Sequence, residues 1–268
     1  MKNQRSVYIK KGSCLVLSLV LLMGIVTSCN KTTPENLYKL ATEEFDAEEV
    51  DVDDFEDEDE ELAELLEDGI YVSMDGDDYE DLIENANAGS LPHIRGKNIK
   101  TCTCYLRADV ENLYDDSLSV SMFELNDTET ARKAFLKING INEKEAKKWS
   151  KKDCFELGKT SGYVIVRMEK DEFADFLMDI YLGMGYLNDD AIEMLIDTLD
   201  ERLDDDIVFT NASYFNGSTL TNISMISTSE DDIDLITDKL GLKKTSEMSF
   251  DSDVADAYSD IWAGSVKR

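Results

Sequence analysis

The residues that could carry chemistry in this chain are one histidine, five cysteines and 59 carboxylates. Nucleophilic catalysis by a serine or a cysteine needs a neighbouring base, and His93 is the only histidine that could serve. His93 follows Pro92 in a loop-forming sequence, where an exposed side chain is expected. The chain contains no HExxH sequence, no Walker loop and no GxGxxG after a predicted strand. The sequence therefore predicts no catalytic residue, and we expect the protein not to be an enzyme.

The carboxylates suggest two further chemistries. A pair of Asp or Glu residues can hydrolyse a glycosidic bond, but 59 acids give no means of selecting a pair. The alternating acids between Asp51 and Glu61 resemble a calcium loop, yet a loop starting at Asp57 places Leu62 where glycine is required. We therefore predict no specific metal site and no cofactor, with only weak association of divalent cations.

Three cysteines lie in the predicted globular part, Cys102, Cys104 and Cys154. Cys102 and Cys104 are two residues apart on a predicted strand, and the strand rise separates their side chains by roughly 6.5–7 Å. That separation is too large for ordinary disulfide geometry. If a disulfide forms, Cys154 is the expected partner of Cys102 or Cys104, and three buried free thiols are the alternative. Without a CxxC pair or a nearby histidine, the cysteines make a poor zinc site.

One segment departs from the acidic background. Residues 132–152 contain eight cations and two acids, a local net charge of +6. One interpretation is a solvated helical face. The other is a binding surface for an anion, such as the chain's own acidic segment, a wall polymer or a protein partner. The residues of this basic face are Arg132, Lys133, Lys144, Lys147, Lys148, Lys151 and Lys152.

The first thirty residues are organised like a secretory signal. Four basic residues between Lys2 and Lys11 precede a thirteen-residue apolar run over residues 14–26. The run would rise about 20 Å as a helix, against a hydrocarbon core of roughly 30 Å, so an uncleaved transmembrane helix is disfavoured. A secreted protein that is cut near Ser28 is the remaining alternative.

The sequence Val26-Thr27-Ser28-Cys29, directly after the apolar run, resembles the lipobox of bacterial lipoproteins. The resemblance implies that a lipid is added to Cys29 and that the signal is removed before this residue. It also implies a diacylated anchor at the outer face of the cell membrane. A single acyl chain holds a protein only marginally, whereas two chains hold it stably.

The acidic composition restricts the partners. The whole chain carries a net charge of −32, and removal of residues 1–28 takes away four cations and no acids, which leaves −36. This charge argues against nucleic-acid binding, which depends on neutralising phosphates with cations. It also argues against flat contact with an anionic membrane surface, so we expect the lipid alone to hold the membrane.

The charge pattern also suggests the domain organisation. Fourteen of the nineteen residues in 43–61 are Asp or Glu, and self-repulsion should keep this segment extended or only partly helical. We therefore predict a signal peptide over 1–28 and a lipid anchor with an acidic stalk over 29–61. Residues 62–268 are predicted to form the globular part, as one domain or two subdomains.

The globular part repeats one pattern three times. Strand-like segments at 118–125, 163–168 and 222–226 each follow a candidate partner strand and precede an amphipathic helix. Asn216-Gly217 is the strongest hairpin signal and predicts a type I′ turn. Hairpins followed by helices favour an α+β fold. We expect an antiparallel sheet built from repeated β-hairpin-plus-helix units, with the helices mainly on one face.

Residues 122–135, a strand followed by an acidic cap and an Ala/Phe helix, are similar to uncharacterised small surface lipoproteins of Gram-positive anaerobes. These motifs are structural and imply no catalytic residue. The expected function is that of a membrane-anchored extracytoplasmic lipoprotein, acting as a non-enzymatic binding or accessory module. A solute-binding lipoprotein of a transporter, with a cleft between two lobes, is one alternative. An acid-dependent hydrolase, with two converging carboxylates in a pocket, is the other.

Overall fold

The computed structural model describes residues 32–51, 61–85, 93–109, 116–183, 203–246 and 248–266. Within these ranges the chain forms eight α-helices and one eight-stranded mixed sheet, most of it antiparallel. The predicted α+β class is confirmed. No helix in these ranges is long and apolar enough to cross a membrane.

The strands are β1 (Glu48–Glu49), β2 (Ile70–Met74), β3 (Ile99–Ala108), β4 (Ser117–Leu125), β5 (Phe155–Leu157), β6 (Ser161–Glu169), β7 (Val208–Asn216) and β8 (Thr219–Ser227). The helices are α1 (Pro34–Glu44), α2 (Glu61–Asp68), α3 (Gly76–Asn85), α4 (Thr128–Ile138), α5 (Glu143–Trp149), α6 (Lys170–Gly183), α7 (Asp231–Leu240) and α8 (Ser252–Val266). A 3₁₀ turn covers Gly96–Asn98.

The strand order is β1-β2-β3-β4-β8-β7-β6-β5, and only β1 and β2 are parallel neighbours. The hairpins β3–β4, β5–β6 and β7–β8 are each followed by a helix, namely α4, α6 and α7. The predicted hairpin-plus-helix units are therefore present. The first and third units meet in the centre of the sheet, where β4 pairs with β8.

Helices cover both faces of this sheet. On one face, called the α4 face, Phe135 of α4 packs on Phe215 of β7, with ring centroids 5.0 Å apart. Phe173 of α6 stacks on Phe209 of the same strand at 4.9 Å. Residues 209 and 215 are an even number of positions apart, so both side chains leave β7 on the same side.

The opposite face, called the α7 face, is covered by α1 and α7. Tyr38 of α1 packs edge-on against Tyr71 of β2, and Asp232 of α7 pairs with Arg107 of β3. The expectation that helices lie mainly on one face therefore needs correction. Side chains of β4, β7 and β8 are buried on both faces, because elements of the chain cover both sides of these strands.

Part of the predicted stalk belongs to the globular domain. Phe45, at the end of α1, stacks on Tyr105 of β3 at 5.1 Å, and β1 pairs with β2. The Thr32 hydroxyl donates to the Leu240 carbonyl at 3.0 Å. Three apolar side chains of α1 are buried in the core, those of Leu37, Leu40 and Ala41. The predicted boundary at residue 61 is therefore wrong for residues 32–51.

This correction has a physical reason. The few apolar residues of the acid-rich segment, such as Phe45 and Val50, pack against the sheet even though they follow no single period. Glu44 forms an ion pair with Lys239 of α7. Local burial and pairing thus outweigh the self-repulsion of the segment. Residues 52–60 of the predicted stalk lie outside the described residues.

The hairpin predicted at Asn216-Gly217 is present, one residue out of register. Asn216 pairs with Thr219, so Gly217 and Ser218 are the two central residues of the turn. Gly217 has a φ of 59°, whereas the φ of Ser218 is not positive. A positive φ at the first central residue alone is the pattern of a type II′ turn, so the predicted type I′ turn is wrong.

Replacing Gly217 by valine should lower the free energy of unfolding by about 1–3 kcal/mol, because a β-branched residue is strained at positive φ. No neighbouring atom lies within 4 Å of a β-carbon built at Gly217, so backbone strain alone sets the loss. Urea unfolding measures it. The control Ser218→Ala should stay within about 0.5 kcal/mol of the parent. Equal stability of the Gly217→Val chain would contradict the positive φ.

Candidate functional site

Cys102 and Cys104 lie on β3 with their side chains on the α4 face. Their Sγ atoms are 3.7 Å apart, and both side chains are buried. The separation is shorter than the roughly 6.5–7 Å that the strand rise predicts. The Cys104 thiol also donates to Ser121 Oγ on β4 at 3.4 Å. The two thiols and the hydroxyl therefore form one hydrogen-bonded group across two strands.

The two thiols of this pair differ in acidity. Burial raises the pKa of Cys102 well above its usual range. The hydrogen bond between Cys102 and Cys104 lowers the pKa of Cys104, and Ser121 contributes in the same direction. Hydrogen bonds that stabilise a thiolate favour its formation even in a buried site. Cys104 is therefore the more readily ionised thiol of the pair.

Cys154 lies far from this pair. It precedes β5, and β3 and β5 are five strand spacings apart in the sheet, roughly 24 Å at about 4.8 Å per spacing. The conditional disulfide between Cys154 and Cys102 or Cys104 is not formed, and the structure has the alternative of three buried free thiols. Burial raises the pKa of Cys154 to about 11.

A network of amides and hydroxyls, the polar stripe, crosses the centre of the α4 face. Ser213 of β7 donates to Asn139 at 2.9 Å and also lies 3.1 Å from Asn222 of β8. Asn222 in turn donates to Asn211 at 2.9 Å. All four side chains are buried. The network joins Asn139, at the end of α4, to β7 and β8, the two strands of the third hairpin unit.

Three serines extend the polar stripe onto β4 and β8. Ser119 lies opposite Ser224 in the register, and Ser117 precedes Ser119 on the same face. Their hydroxyls are buried and have no hydrogen-bond partner among the described residues. Serine alternates with apolar residues over 117–121, a pattern that is typical of a strand with one solvated face. The structure instead buries the serine face, so the alternation alone does not reveal the stripe.

The basic face is partly neutralised within the protein. Lys152 lies 2.5 Å from Asp251 and 3.3 Å from Asp253, beside the start of α8. Lys148 lies 3.9 Å from Asp253. Hydrogen bonds and ion pairs to the side chain of Asp251 raise the pKa of Lys152. These two lysines therefore connect the α5 region to α8.

The remaining cations of the basic face divide into two groups. Lys133 pairs with Glu129 one turn earlier on α4, and Arg132 Nε donates to the Gly158 carbonyl at 3.3 Å. Lys144, Lys147 and Lys151 are exposed and form no ion pair in the described part of the chain. Only these three remain available to an outside anion. Trp149, which falls between them in sequence, is buried against Phe155 of β5.

Two grooves on the acidic side of the molecule meet at Glu172 of α6. One groove, of about 390 Å³, lies between α6 and α8. The other, of about 710 Å³, runs past the start of α6 and the turn before β7. The carboxylates lining them are Glu169, Asp171, Glu172, Asp175, Asp179, Asp205, Asp206, Asp256 and Asp260. Open grooves of this kind suit weak association with cations.

Arg167 of β6 forms the wall of the larger groove and is 92% buried. Its Nη1 donates to the Met248 carbonyl at 2.8 Å, and its Nη2 pairs with Glu230 at 2.7 Å. The Phe250 ring covers the guanidinium at 4.1 Å from its centroid. Arg167 thus connects β6 to Glu230, before α7, and to the segment 248–250 on the α7 face.

His93 and Cys29 are the two remaining residues that the sequence analysis singles out. His93 precedes the 3₁₀ turn, and its carbonyl accepts a hydrogen bond from Lys137 at 3.1 Å. Cys29, the predicted lipid attachment site, lies outside the described residues. Among the residues in the described ranges, no group of three or more His, Cys, Asp or Glu side chains could hold a metal ion.

Comparison with protein-family models, with curated proteins and with solved structures finds no match.

Proposed function

We propose that the chain is a membrane-anchored extracytoplasmic lipoprotein that acts as a non-enzymatic binding or accessory module. The observation that carries the proposal is the order of the first thirty residues, in which basic residues, a short apolar run and Val26-Thr27-Ser28-Cys29 follow one another. A diacylated Cys29 would hold the mature chain at the outer face of the cell membrane.

The continuous sheet favours this proposal over a transporter's solute-binding lipoprotein. All eight strands belong to one sheet, and its central pair, β4 and β8, joins the first and third hairpin units. A two-lobed binding protein needs two separate units with a cleft between them. One sheet through the described domain leaves no such division.

The position of the carboxylates disfavours an acid-dependent hydrolase. Such an enzyme needs two carboxylates converging in a water-excluding pocket, where desolvation raises the pKa of one of them. The carboxylates lining the two acidic grooves instead lie at the surface, and Asp205 is 96% exposed and pairs with Lys170. Exposed acids of this kind suit reversible contact with a partner.

The surface charges define the partner classes within this proposal. The basic face retains Lys144, Lys147 and Lys151 for an anionic wall polymer or an acidic protein partner. Nucleic acid is disfavoured, because a net charge of −32 repels phosphate. The lipid on Cys29 is the proposed membrane contact.

The anchor is tested by metabolic labelling with a fatty-acid probe in a bacterial host. The parent chain should carry the label, and Cys29→Ser should lose it, because the thiol that accepts the lipid is gone. The matched control is Cys14→Ser, which removes a cysteine from the same leader and should leave the label unchanged. Full labelling of the Cys29→Ser chain would overturn the proposed anchor.

A further inference from the structure

Three sulfur-containing residues, Cys102, Cys104 and Met74, occupy neighbouring positions of β3 and β2 on the α4 face of the sheet. Cys102 and Cys104 have their Sγ atoms 3.7 Å apart, and Met74 of β2 lies directly opposite Cys102 in the strand register. Directly opposed residues of antiparallel strands have β-carbons about 4.5–5.5 Å apart, within reach of a flexible thioether. All three side chains are buried.

The separation of the two thiols matches a shared metal ion. Two sulfurs bound at about 2.3 Å to one ion, with trigonal or tetrahedral angles, lie about 3.8–4.0 Å apart. The observed 3.7 Å therefore needs almost no movement. A disulfide would require the sulfurs to close to about 2.05 Å. β3 is paired on both sides, with β2 and β4, so it cannot bend readily to allow that closure.

The surroundings of the pair select a soft ion. Phe123 lies opposite Cys102 on β4, and the ring of Tyr79 from α3 packs edge-on against Phe123 at 5.3 Å. Burial, with Cys102 and Cys104 as further contributors, raises the pKa of Tyr79 well above its usual range. Thiolate and thioether ligands in a dry site favour Cu(I), whereas structural zinc almost always takes four ligands. Ser121 Oγ lies 3.4 Å from the Cys104 sulfur, and once Cys104 is a thiolate the hydroxyl can turn to donate to it.

We propose that Cys102 and Cys104, with Met74 as a third ligand, form a buried binding site for Cu(I). On binding, each thiol loses its proton to solvent, and the two resulting thiolates bond to one Cu(I) ion. The complex carries one negative charge, and neither copper nor sulfur changes oxidation state. The site is independent of the proposed lipid anchor.

The site is tested with the full chain, purified in detergent under reducing conditions and titrated with Cu(I) in competition with a chromophoric Cu(I) chelator. We expect one high-affinity ion per chain, and Cys102→Ser or Cys104→Ser should abolish it. Met74→Leu, which conserves volume, should weaken binding about 10- to 100-fold, as loss of a supporting group at a metal site typically does. The control Cys154→Ser removes a distant buried thiol and should bind like the parent.

Two further measurements keep the result clear if a serine variant folds poorly. X-ray absorption at the copper edge of the parent chain should show sulfur ligands alone, and nitrogen or oxygen ligands would overturn the site. A variant that carries both Cys102→Ser and Cys104→Ser should have two fewer thiols than the parent when thiols are titrated in denaturant. An equal number would show that Cys102 and Cys104 are oxidised to a disulfide. Unchanged Cu(I) binding by both serine variants, or preference for Zn(II), would also overturn the proposal.

Discussion

Replacing Arg167 by methionine should lower the free energy of unfolding by about 3 kcal/mol, the lower end of the range for breaking a buried ion pair. Methionine fills much of the same space but leaves Glu230 without its partner and the Met248 carbonyl without its donor. The lower end applies because the Glu230 side chain keeps 26% of its surface exposed. The Phe250 ring also loses the cation that it covers.

Urea unfolding of the two chains measures this loss. The matched control is Arg95→Met, which changes an exposed arginine and should stay within about 0.5 kcal/mol of the parent. Adding Glu230→Gln to the Arg167→Met chain should restore part of the stability, since it removes the uncompensated charge. If Arg167→Met unfolds at the same urea concentration as Arg95→Met, the ion pair between Arg167 and Glu230 does not stabilise the fold.

Replacing Gly96 by alanine should cost about 3 kcal/mol, the upper range for overpacking a well-packed site. A β-carbon at Gly96 would lie 1.9 Å from the carbonyl oxygen of Gly76 and 2.7 Å from Oε2 of Glu80. The carbonyl belongs to the backbone, so no side-chain rotation can relieve the clash. The backbone N–H of Gly96 also donates to Glu80 at 2.6 Å, and a shift of the 3₁₀ turn would break that bond.

Thermal and urea unfolding of the Gly96→Ala chain give the size of this effect. Lys97→Ala, one residue further along, is the control, because the Lys97 side chain is exposed and its loss should change stability by less than about 0.5 kcal/mol. Gly76→Ala should be as damaging as Gly96→Ala, since its β-carbon would lie 2.2 Å from the Gly96 carbonyl oxygen. A tolerated alanine at both glycines would contradict this close approach of two backbones.

The hairpin-plus-helix units could be predicted because their signals are local. Asp127 illustrates this: it caps α4 by accepting from the Thr130 N–H at 2.7 Å, directly after the strand that the sequence indicates. Capping, turn chemistry and alternation each act over a few residues. The order of the strands depends instead on contacts between distant segments, such as β4 with β8, and no local signal encodes it.

Charge density places the N-terminal boundary of the domain at residue 62, but it carries no information on the burial of the few apolar residues before it. Phe45 and Val50 are isolated apolar residues in an acidic segment, and only the assembled sheet shows what they pack against. The separation of the two thiols has a similar explanation. The strand rise gives the backbone spacing but does not fix the distance between the Sγ atoms of Cys102 and Cys104, which is 3.7 Å.

The docking of α1 onto the sheet sets the height of the domain above the membrane, given the proposed anchor. Only two residues, Asn30 and Lys31, separate Cys29 from Thr32, whose hydroxyl bonds to the end of α7. Three extended steps span at most about 11 Å, close to the roughly 8 Å screening length at physiological ionic strength. The part of the domain next to Thr32 would therefore lie within the electric field of the lipid headgroups.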